Sequence, residues 1–215
     1  PKLLDWLATE LVESGWSIKH LHRVIMTSAT YRQQSDVTIA HEGIDPDNIW
    51  LSRMPLRRLD AEMLRDALLS VSDRLRLISF GPADPVEARS DGLVVSQPIQ
   101  GSWRRSIYVI QRRTQPLTIL GTFDRPQMNP NCVERMNSTV APQALHLLNN
   151  KMIHDLSVAF AERVKSEAGN NRQAQIKRAY LIALSRSPDE SELDLSLRYL
   201  EKLTSQWKQS EPDKA

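Results

Sequence analysis

The stretch Trp103-Arg-Arg-Ser-Ile-Tyr-Val-Ile-Gln-Arg-Arg113 decides the fold class of this 215-residue chain. Residues 106–112 are rich in β-branched and aromatic side chains, so they are the best candidate for a β-strand. No other segment is a comparably strong candidate for a β-strand, so any sheet must be small. The sequence predicts a mainly α fold: an irregular multi-helix domain with long loops and at most a small two-stranded β element.

Apolar side chains recur at helical spacing on both sides of this stretch. The predicted helices are 3–13, 17–32 with Ser17 as its cap, 57–75, 139–167 with a break at Asn149-Asn150, one capped by Asn170, and a last one. Ser187-Pro-Asp-Glu190 predicts that Ser187 caps this last helix in a capping box with Glu190. Segments 33–46 and 76–102 are predicted loops.

These elements are expected to form a single, mainly helical domain over residues 1–207, followed by a polar tail at 208–215. The chain starts at Pro1, inside a predicted helix and without an initiator methionine, so we expect it to be a fragment of a larger protein.

Composition excludes several classes of protein. The chain is 40% hydrophobic and 25% charged, which is ordinary for a globular protein. Its net charge of +2 provides no global field toward nucleic acid or a membrane surface. No run reaches the ~20 apolar residues of a membrane span. With one cysteine, no intrachain disulfide is possible.

The central segment, residues 101–139, is rich in charged and polar side chains. Residues 101–135 contain six arginines and no lysine, against two carboxylates, Asp124 and Glu134. The candidate residues are Arg104, Arg105, Tyr108, Arg112, Asp124, Cys132, Arg135, Ser138 and Thr139. They predict either a buried structural network or a pocket for an anion or a carbohydrate, because guanidinium groups bind oxygen ligands as a fork. Trp103 and Tyr108 are not spaced as a platform for stacking bases, which disfavours nucleic acid.

A more specific arrangement is predicted within this segment. Arg104 or Arg105, together with Arg135, is expected to contact Asp124 and to hold the loop 124–138 against the helix that follows. An irregular segment needs such partners, because no helix or strand satisfies its polar groups. Ser138 or Thr139 is expected to cap that helix, with Pro142 in its first turn.

Catalytic and metal chemistry receive less support. Cys132 could be a nucleophile with His146 or His154 as its base, but a lone cysteine is more often a small buried side chain. We expect it to be structural or incidental. His20 and His22 point roughly 200° apart on a helix and cannot share a metal ion. No cofactor is predicted in this chain.

Several motifs resemble one family. They are Leu3–Ala8, Gly15–Arg32, Arg57–Glu62 with Arg65-Asp-Ala67, the central arginine-rich stretch, Ser138–Asn149 and Tyr180–Pro188 with Glu192-Leu193. Together they are similar to the planctomycete-type domain of unknown function found near the C-terminus of large proteins, which often carry a cytochrome-c-like domain upstream. The resemblance extends to about residue 203.

This resemblance implies an exported protein in the periplasm or at the cell surface, with other domains of the parent protein as partners. It also implies that a segment preceding Leu3 is missing, so that a surface it covers is exposed. It carries no established activity. Three functional hypotheses follow: a non-enzymatic binding or docking module, an enzyme or an anion- or carbohydrate-binding domain with its site around residues 103–139, and a docking platform for the cytochrome-c-like domain.

Overall fold

Helices dominate the computed structural model, which describes residues 2–126, 132, 134–135 and 138–210. In these residues the helices are α1 (Lys2–Glu13), α2 (Ile18–Thr27), α3 (Ile39–Ile44), α4 (Ala61–Val71), α5 (Thr118–Thr122), α6 (Ala141–Asn149), α7 (Lys151–Ala168), α8 (Arg172–Leu184) and α9 (Glu190–Ser210). Two pairs of very short β-strands accompany these helices. The prediction of a mainly α fold is confirmed.

Contacts between Cα atoms divide the chain into two compact units, residues 1–58 and 59–215. The prediction of a single domain over residues 1–207 stays a prediction. Helix α9 runs through Ser210 and so includes the first residues of the predicted polar tail.

The first unit contains α1, α2 and α3. Ser17 caps α2 as predicted, because its hydroxyl accepts a hydrogen bond from the backbone N–H of His20 at 3.3 Å. Helix α2 ends at Thr27, earlier than expected. The predicted loop 33–46 contains α3, where Thr38 and His41 form a reciprocal cap with two 3.3 Å hydrogen bonds. The histidine at this position hid the capping signal, since glutamate or glutamine is the usual partner.

The second unit is organised around α4, which is shorter than the predicted 57–75. Residues Ala61, Arg65 and Leu69 lie four apart on the helix and form its buried row. The main apolar cluster consists of Ala61, Val109, Leu117, Ile119, Leu120 and Phe123, with Leu64, Leu68, Val86, Leu147 and Ile153 packed against it. The core therefore sits between α4, α5, the end of α6 and the start of α7.

The predicted strand 106–112 is wrong. Ser106–Tyr108 forms a 3₁₀ turn, with hydrogen bonds from Tyr108 N to Arg105 O and from Val109 N to Ser106 O. Asp66 on α4 accepts hydrogen bonds from both the backbone N–H and the hydroxyl of Ser106, each at 2.7 Å. This tertiary contact overrides the β-propensity of the side chains.

Two of the four strands in the described residues lie wholly within the predicted loop 76–102. Strand β2 (Val86–Ala88) pairs antiparallel with β3 (Val94–Ser96), and Gly92 supplies the positive φ of +84° that their connecting turn requires. Strand β1 (Leu75–Arg76) pairs in parallel with β4 (Trp103–Arg104). Strands of two or three residues are too short to leave a period in the sequence, which is why they were missed.

The C-terminal helices follow the sequence more closely. The predicted break at Asn149-Asn150 is confirmed, and Asn150 caps α7 by accepting the backbone N–H of Met152 at 2.8 Å. Helix α6 begins at Ala141 with Val140 at the cap position, so neither Ser138 nor Thr139 is its cap. The side chain of Gln143 returns to the backbone N–H of Val140 at 3.2 Å.

Two predicted caps are displaced along the chain. Asn171, rather than Asn170, caps α8 by accepting the backbone N–H of Ala174 at 3.0 Å. The Ser187–Glu190 capping box is wrong, because α9 begins at Glu190. Asp189 accepts the backbone N–H of Glu192 at 2.8 Å, and the Glu192 carboxylate accepts that of Asp189 at 3.0 Å. The same box motif therefore operates two residues later.

Candidate functional site

Helix α4 separates a buried face from an open one, and this decides the environment of the arginine-rich segment. Arg65 lies in the buried row and is completely inaccessible to solvent. Glu62 and Asp66, also four residues apart, form the adjacent row, which faces an open cleft of about 490 Å³. The central segment crosses α4 so that Arg104 is on the buried side and Arg105 is on the open side.

Arg65 is the centre of what we call the buried network, formed by Arg65, Arg104, Asp84, Ser96 and Ser106. Its guanidinium donates to the Ser96 hydroxyl at 2.9 Å and to the Ser106 hydroxyl and the Arg104 carbonyl, each at 3.2 Å. Burial lowers the pKa of Arg65 to about 10, against the opposing charges of Asp66 and Asp84. Arg65 is therefore still a cation at neutral pH.

Arg104 is also enclosed, with 7% of its surface exposed. It donates to the buried Asp84 carboxylate from Nε at 2.9 Å, and from Nη2 at 2.5 Å. It also donates to the carbonyls of Phe80 at 2.7 Å and Pro82 at 2.5 Å. Its guanidinium lies 4.7 Å from the centre of the Tyr108 ring. These contacts bind the loop 80–84 to the core, and they leave Arg104 a structural role.

The open side is what we call the cleft, lined by Asp60, Glu62, Asp66, Arg105, Gln111 and Arg135. Arg135 donates to Glu62 Oε2 at 2.7 Å and lies 3.6 Å from Asp60. Burial alone would raise the pKa of Glu62, but the hydrogen bond from Arg135 and the charges of Arg135 and Arg125 hold it below its usual value. Glu62 is thus ionised at neutral pH.

Arg105 and Asp66 face each other in the cleft without a hydrogen bond. Asp66 Oδ1 accepts from Ser106, whereas Asp66 Oδ2 lies 3.7 Å from Arg105 Nε. In the part of the chain that the structure describes, the Arg105 guanidinium donates no hydrogen bond, and 60% of its side-chain surface is exposed. Among the described residues, the cleft therefore contains a donor fork and a carboxylate oxygen that are paired only with each other, at ion-pair distance and without a hydrogen bond.

Asp124 belongs to a third cluster, and the predicted partners are wrong. Its carboxylate accepts from the backbone N–H of Ser138 at 2.7 Å and from the Ser138 hydroxyl at 2.8 Å. The Gln143 amide donates to it at 3.3 Å and to the Thr122 carbonyl at 3.0 Å. Asp124 thus holds the chain entering α6, while the arginines expected to bind it take Asp84, Asp66 and Glu62.

The remaining predicted residues do not converge on one site. Arg112 and Thr139 are exposed. Cys132 is exposed, and its thiol donates to the Glu134 carbonyl at 2.9 Å. His146, considered as its base, instead packs edge-on against Phe123 and contacts Asn150. In the described ranges, no group of three His, Cys, Asp or Glu side chains could hold a metal ion.

The sequence did not identify the three carboxylates that pair with the arginines, which are Glu62, Asp66 and Asp84. Glu62 and Asp66 lie in the motifs Arg57–Glu62 and Arg65-Asp-Ala67, which contributed only to the family resemblance, and Asp84 lies in a predicted loop. Their four-residue spacing on α4 was a usable signal for Glu62 and Asp66. Nothing in the sequence around Asp84 indicated a buried carboxylate.

Three comparisons with known proteins bear on identity. A family model described as PSD1, protein of unknown function (DUF1553), matches residues 1–200. No curated protein and no solved structure matches the chain. The match covers the helical core, the buried network and the cleft, and it confirms the resemblance drawn from the motifs. The chain is a member of this DUF1553 family, whose function is unknown.

Proposed function

We propose that this chain is a non-enzymatic binding module of an exported multidomain protein, and that the cleft binds a neutral, polyhydroxylated ligand of the carbohydrate class. The observation that carries the proposal is the pair of open groups, Arg105 and Asp66 Oδ2, 3.7 Å apart. A sugar hydroxyl both donates and accepts hydrogen bonds. It can therefore accept from the guanidinium and donate to the carboxylate.

The charge balance of the cleft favours a neutral ligand over an anion. Asp60, Glu62 and Asp66 face Arg105 and Arg135, and Arg125 is bound to Gln111 at the edge at 2.7 Å. An anion approaching the arginines would also meet these carboxylates. Exposed apolar side chains of Met63 and Ile107 line the same cleft, and they can pack against the C–H face of a sugar ring.

The cleft is better suited to binding than to glycoside hydrolysis. Glycosidases of the usual type need one carboxylic acid with a raised pKa to protonate the leaving group. The Arg135 contact instead lowers the pKa of Glu62. The export of the parent protein rests on the family resemblance. Among the described helices, none is both long and apolar enough to cross a membrane.

Nuclear magnetic resonance titration tests this proposal. Neutral oligosaccharides of β-glucan, mannan and xylan type are added while the Arg105 Nε–Hε signal is followed. We expect a saturable shift with at least one of them and its loss in Arg105→Met. Arg113→Met, which removes an exposed arginine outside the cleft, is the matched control and should bind normally.

Two results would overturn the carbohydrate assignment. One is the absence of saturable binding across the neutral panel. The other is tighter binding of a sulfated oligosaccharide than of its neutral counterpart, which would identify the cleft as an anion site.

A docking role toward another domain of the same polypeptide is the second candidate. Leu195, Tyr199, Leu203 and Trp207 follow one another at four-residue spacing on α9, and each is half or more exposed. Such a row on one face of a helix is typical of a surface that packs against a partner. Hydrogen exchange of residues 190–210 should be slower in the longer protein than in this chain alone; equal rates would exclude this role.

A further inference from the structure

A side-chain hydrogen bond joins α6 to α7 at the point where the two helices meet. His146 lies in the last turn of α6, and the buried Asn150 stands between the helices as the residue that caps α7. The side-chain nitrogen Nδ2 of Asn150 is 3.2 Å from Nε2 of His146. We call this pair, His146 and Asn150, the helix joint.

The cap of α7 fixes the direction of this hydrogen bond. Asn150 Oδ1 accepts the backbone N–H of Met152 at 2.8 Å, so the oxygen end of the amide points into α7. The nitrogen end, Nδ2, can only donate. His146 Nε2 must therefore accept, which leaves the ring proton on Nδ1. Turning the amide over would place its NH2 group against the Met152 N–H and remove the cap.

A protonated His146 cannot take part in the helix joint. Imidazolium carries an N–H on both ring nitrogens, so Nε2–H would face the NH2 group of Asn150. Two donors would then oppose each other across 3.2 Å, and the buried amide of Asn150 would lose its acceptor. The joint is therefore compatible only with the neutral imidazole.

The helix joint lies at the edge of the main apolar cluster. The ring of His146 packs edge-on against Phe123, with 6.5 Å between the ring centroids. Leu147 and Ile153, on either side of the joint, pack against the same cluster. Burial lowers the pKa of His146 below its usual value, because a charged ring here would lose part of its hydration.

The charges near the joint are engaged elsewhere. Helices α5 and α7 pack against α6, and α5 carries no charged side chain. Asp124 and Arg125, which follow α5, bind Ser138 and Gln111 respectively, each at 2.7 Å. The titratable side chains that begin α7 are Lys151, His154 and Asp155. The lysine and the aspartate pair with each other at 2.6 Å, and the histidine is exposed. Among the described residues, none of these groups forms an ion pair with His146.

We propose that the helix joint is a pH-sensitive switch: a proton taken up by His146 breaks its hydrogen bond with Asn150, moves the ring away from Phe123 into solvent and loosens the junction of α6 and α7. The folded state favours the neutral ring. Its contribution to stability is therefore complete above the unfolded pKa of about 6.5 and is lost as the pH falls through the lower, folded value. This switch is independent of the cleft and of any ligand there.

Nuclear magnetic resonance of the full chain with 15N-labelled histidine tests the switch directly. At about pH 7.5, well above the ordinary histidine pKa, we expect His146 to carry its proton on Nδ1. On lowering the pH to about 5, the ring should protonate, its nuclear Overhauser contact with Phe123 should weaken severalfold, and the Asn150 side-chain amide should exchange faster than its intrinsic rate change accounts for. A proton on Nε2 at the higher pH would overturn the proposal. So would a ring that stays neutral at the lower pH, or one that protonates and keeps its contact with Phe123.

Stability measurements provide a second test with a matched control. His146→Gln keeps an acceptor for Asn150 but cannot take up a proton. The urea midpoint of the parent chain should therefore fall relative to that of His146→Gln between about pH 7.5 and about pH 5. His154→Gln, which removes an exposed histidine from the same junction, should follow the parent. The same pH dependence in the parent and in His146→Gln would overturn the proposal, and if His146→Gln fails to fold, the ring titration of the parent chain decides.

Discussion

Arg104 and Arg105 are consecutive in sequence, yet they belong to opposite regions of the molecule. Arg104 is buried and bound to Asp84, Phe80 and Pro82, whereas Arg105 lies exposed in the cleft, 3.7 Å from Asp66 Oδ2. The buried network pairs its polar groups with one another and with backbone carbonyls, except for Arg65 Nε, which has no partner in the described residues, and the cleft retains donors and acceptors for a ligand. Arginine content alone therefore does not identify a site. A site is indicated where a guanidinium still has N–H donors that no protein group accepts.

The largest effect is expected in the buried network. Arg65→Met should lower the free energy of unfolding by at least ~3 kcal/mol, because it leaves the Arg104 carbonyl and two serine hydroxyls without their buried donor. Urea unfolding followed by circular dichroism measures this loss. A loss below ~1 kcal/mol would show that water replaces the guanidinium and that the two regions differ less than their geometry indicates.

Asp84→Asn should rank second in destabilisation. The amide keeps an acceptor for Arg104 but removes the only charge within hydrogen-bond distance of that enclosed guanidinium in the described residues. We expect a smaller loss than for Arg65→Met and a larger one than for any substitution in the cleft. The same unfolding experiment provides the ranking. A variant as stable as the parent chain would mean that the loop 80–84 is held by its carbonyl contacts alone.

Glu62→Gln should cost ~1 kcal/mol or less, because the ion pair with Arg135 is partly exposed and screened by solvent. The folded-state pKa of Glu62 is lowered, so its contribution to stability is present above its unfolded pKa of roughly 4 and is lost as the pH falls through the folded value. The difference between the parent chain and Glu62→Gln should therefore shrink as the pH falls below about 4. A difference that grows on acidification would contradict the assignment.

The smallest effect on stability is expected for Arg105→Met. Its exposed guanidinium makes no hydrogen bond to the described residues, so the free energy of unfolding should change by less than ~0.5 kcal/mol. Thermal and urea unfolding measure this change. Loss of oligosaccharide binding with unchanged stability would sharpen the contrast between the regions. A stability loss comparable to that of Arg65→Met would place Arg105 in the structural network instead.

Much of the helical framework was accessible from the sequence. The Ser17 cap and the break at Asn149-Asn150 both involve residues whose local backbone chemistry ends or starts a helix. Two kinds of error have a clear physical cause. Caps moved by one or two residues where several polar candidates were adjacent, as at Asn170-Asn171 and at Ser187–Asp189. The strand at 106–112 failed because a distant carboxylate, Asp66, fixed the backbone of Ser106 in a turn.

The candidate site was less predictable than the helices. The sequence correctly indicated the central arginines as important, but it paired them with Asp124, a carboxylate of the same segment. Asp124 instead binds Ser138, and Arg135 finds Glu62, which lies 73 residues away.

The sequence by itself determined the mainly α class, the presence of the longer helices and family membership, because these depend on the order of neighbouring side chains and on local motifs. Only the tertiary structure decided which arginines are buried and satisfied and which remain open. The physical reason is that a guanidinium has five donors but no preference among carboxylates of equal chemistry. The choice falls to whichever acceptor the packing of α4, β4 and the 80–84 loop brings within about 3 Å.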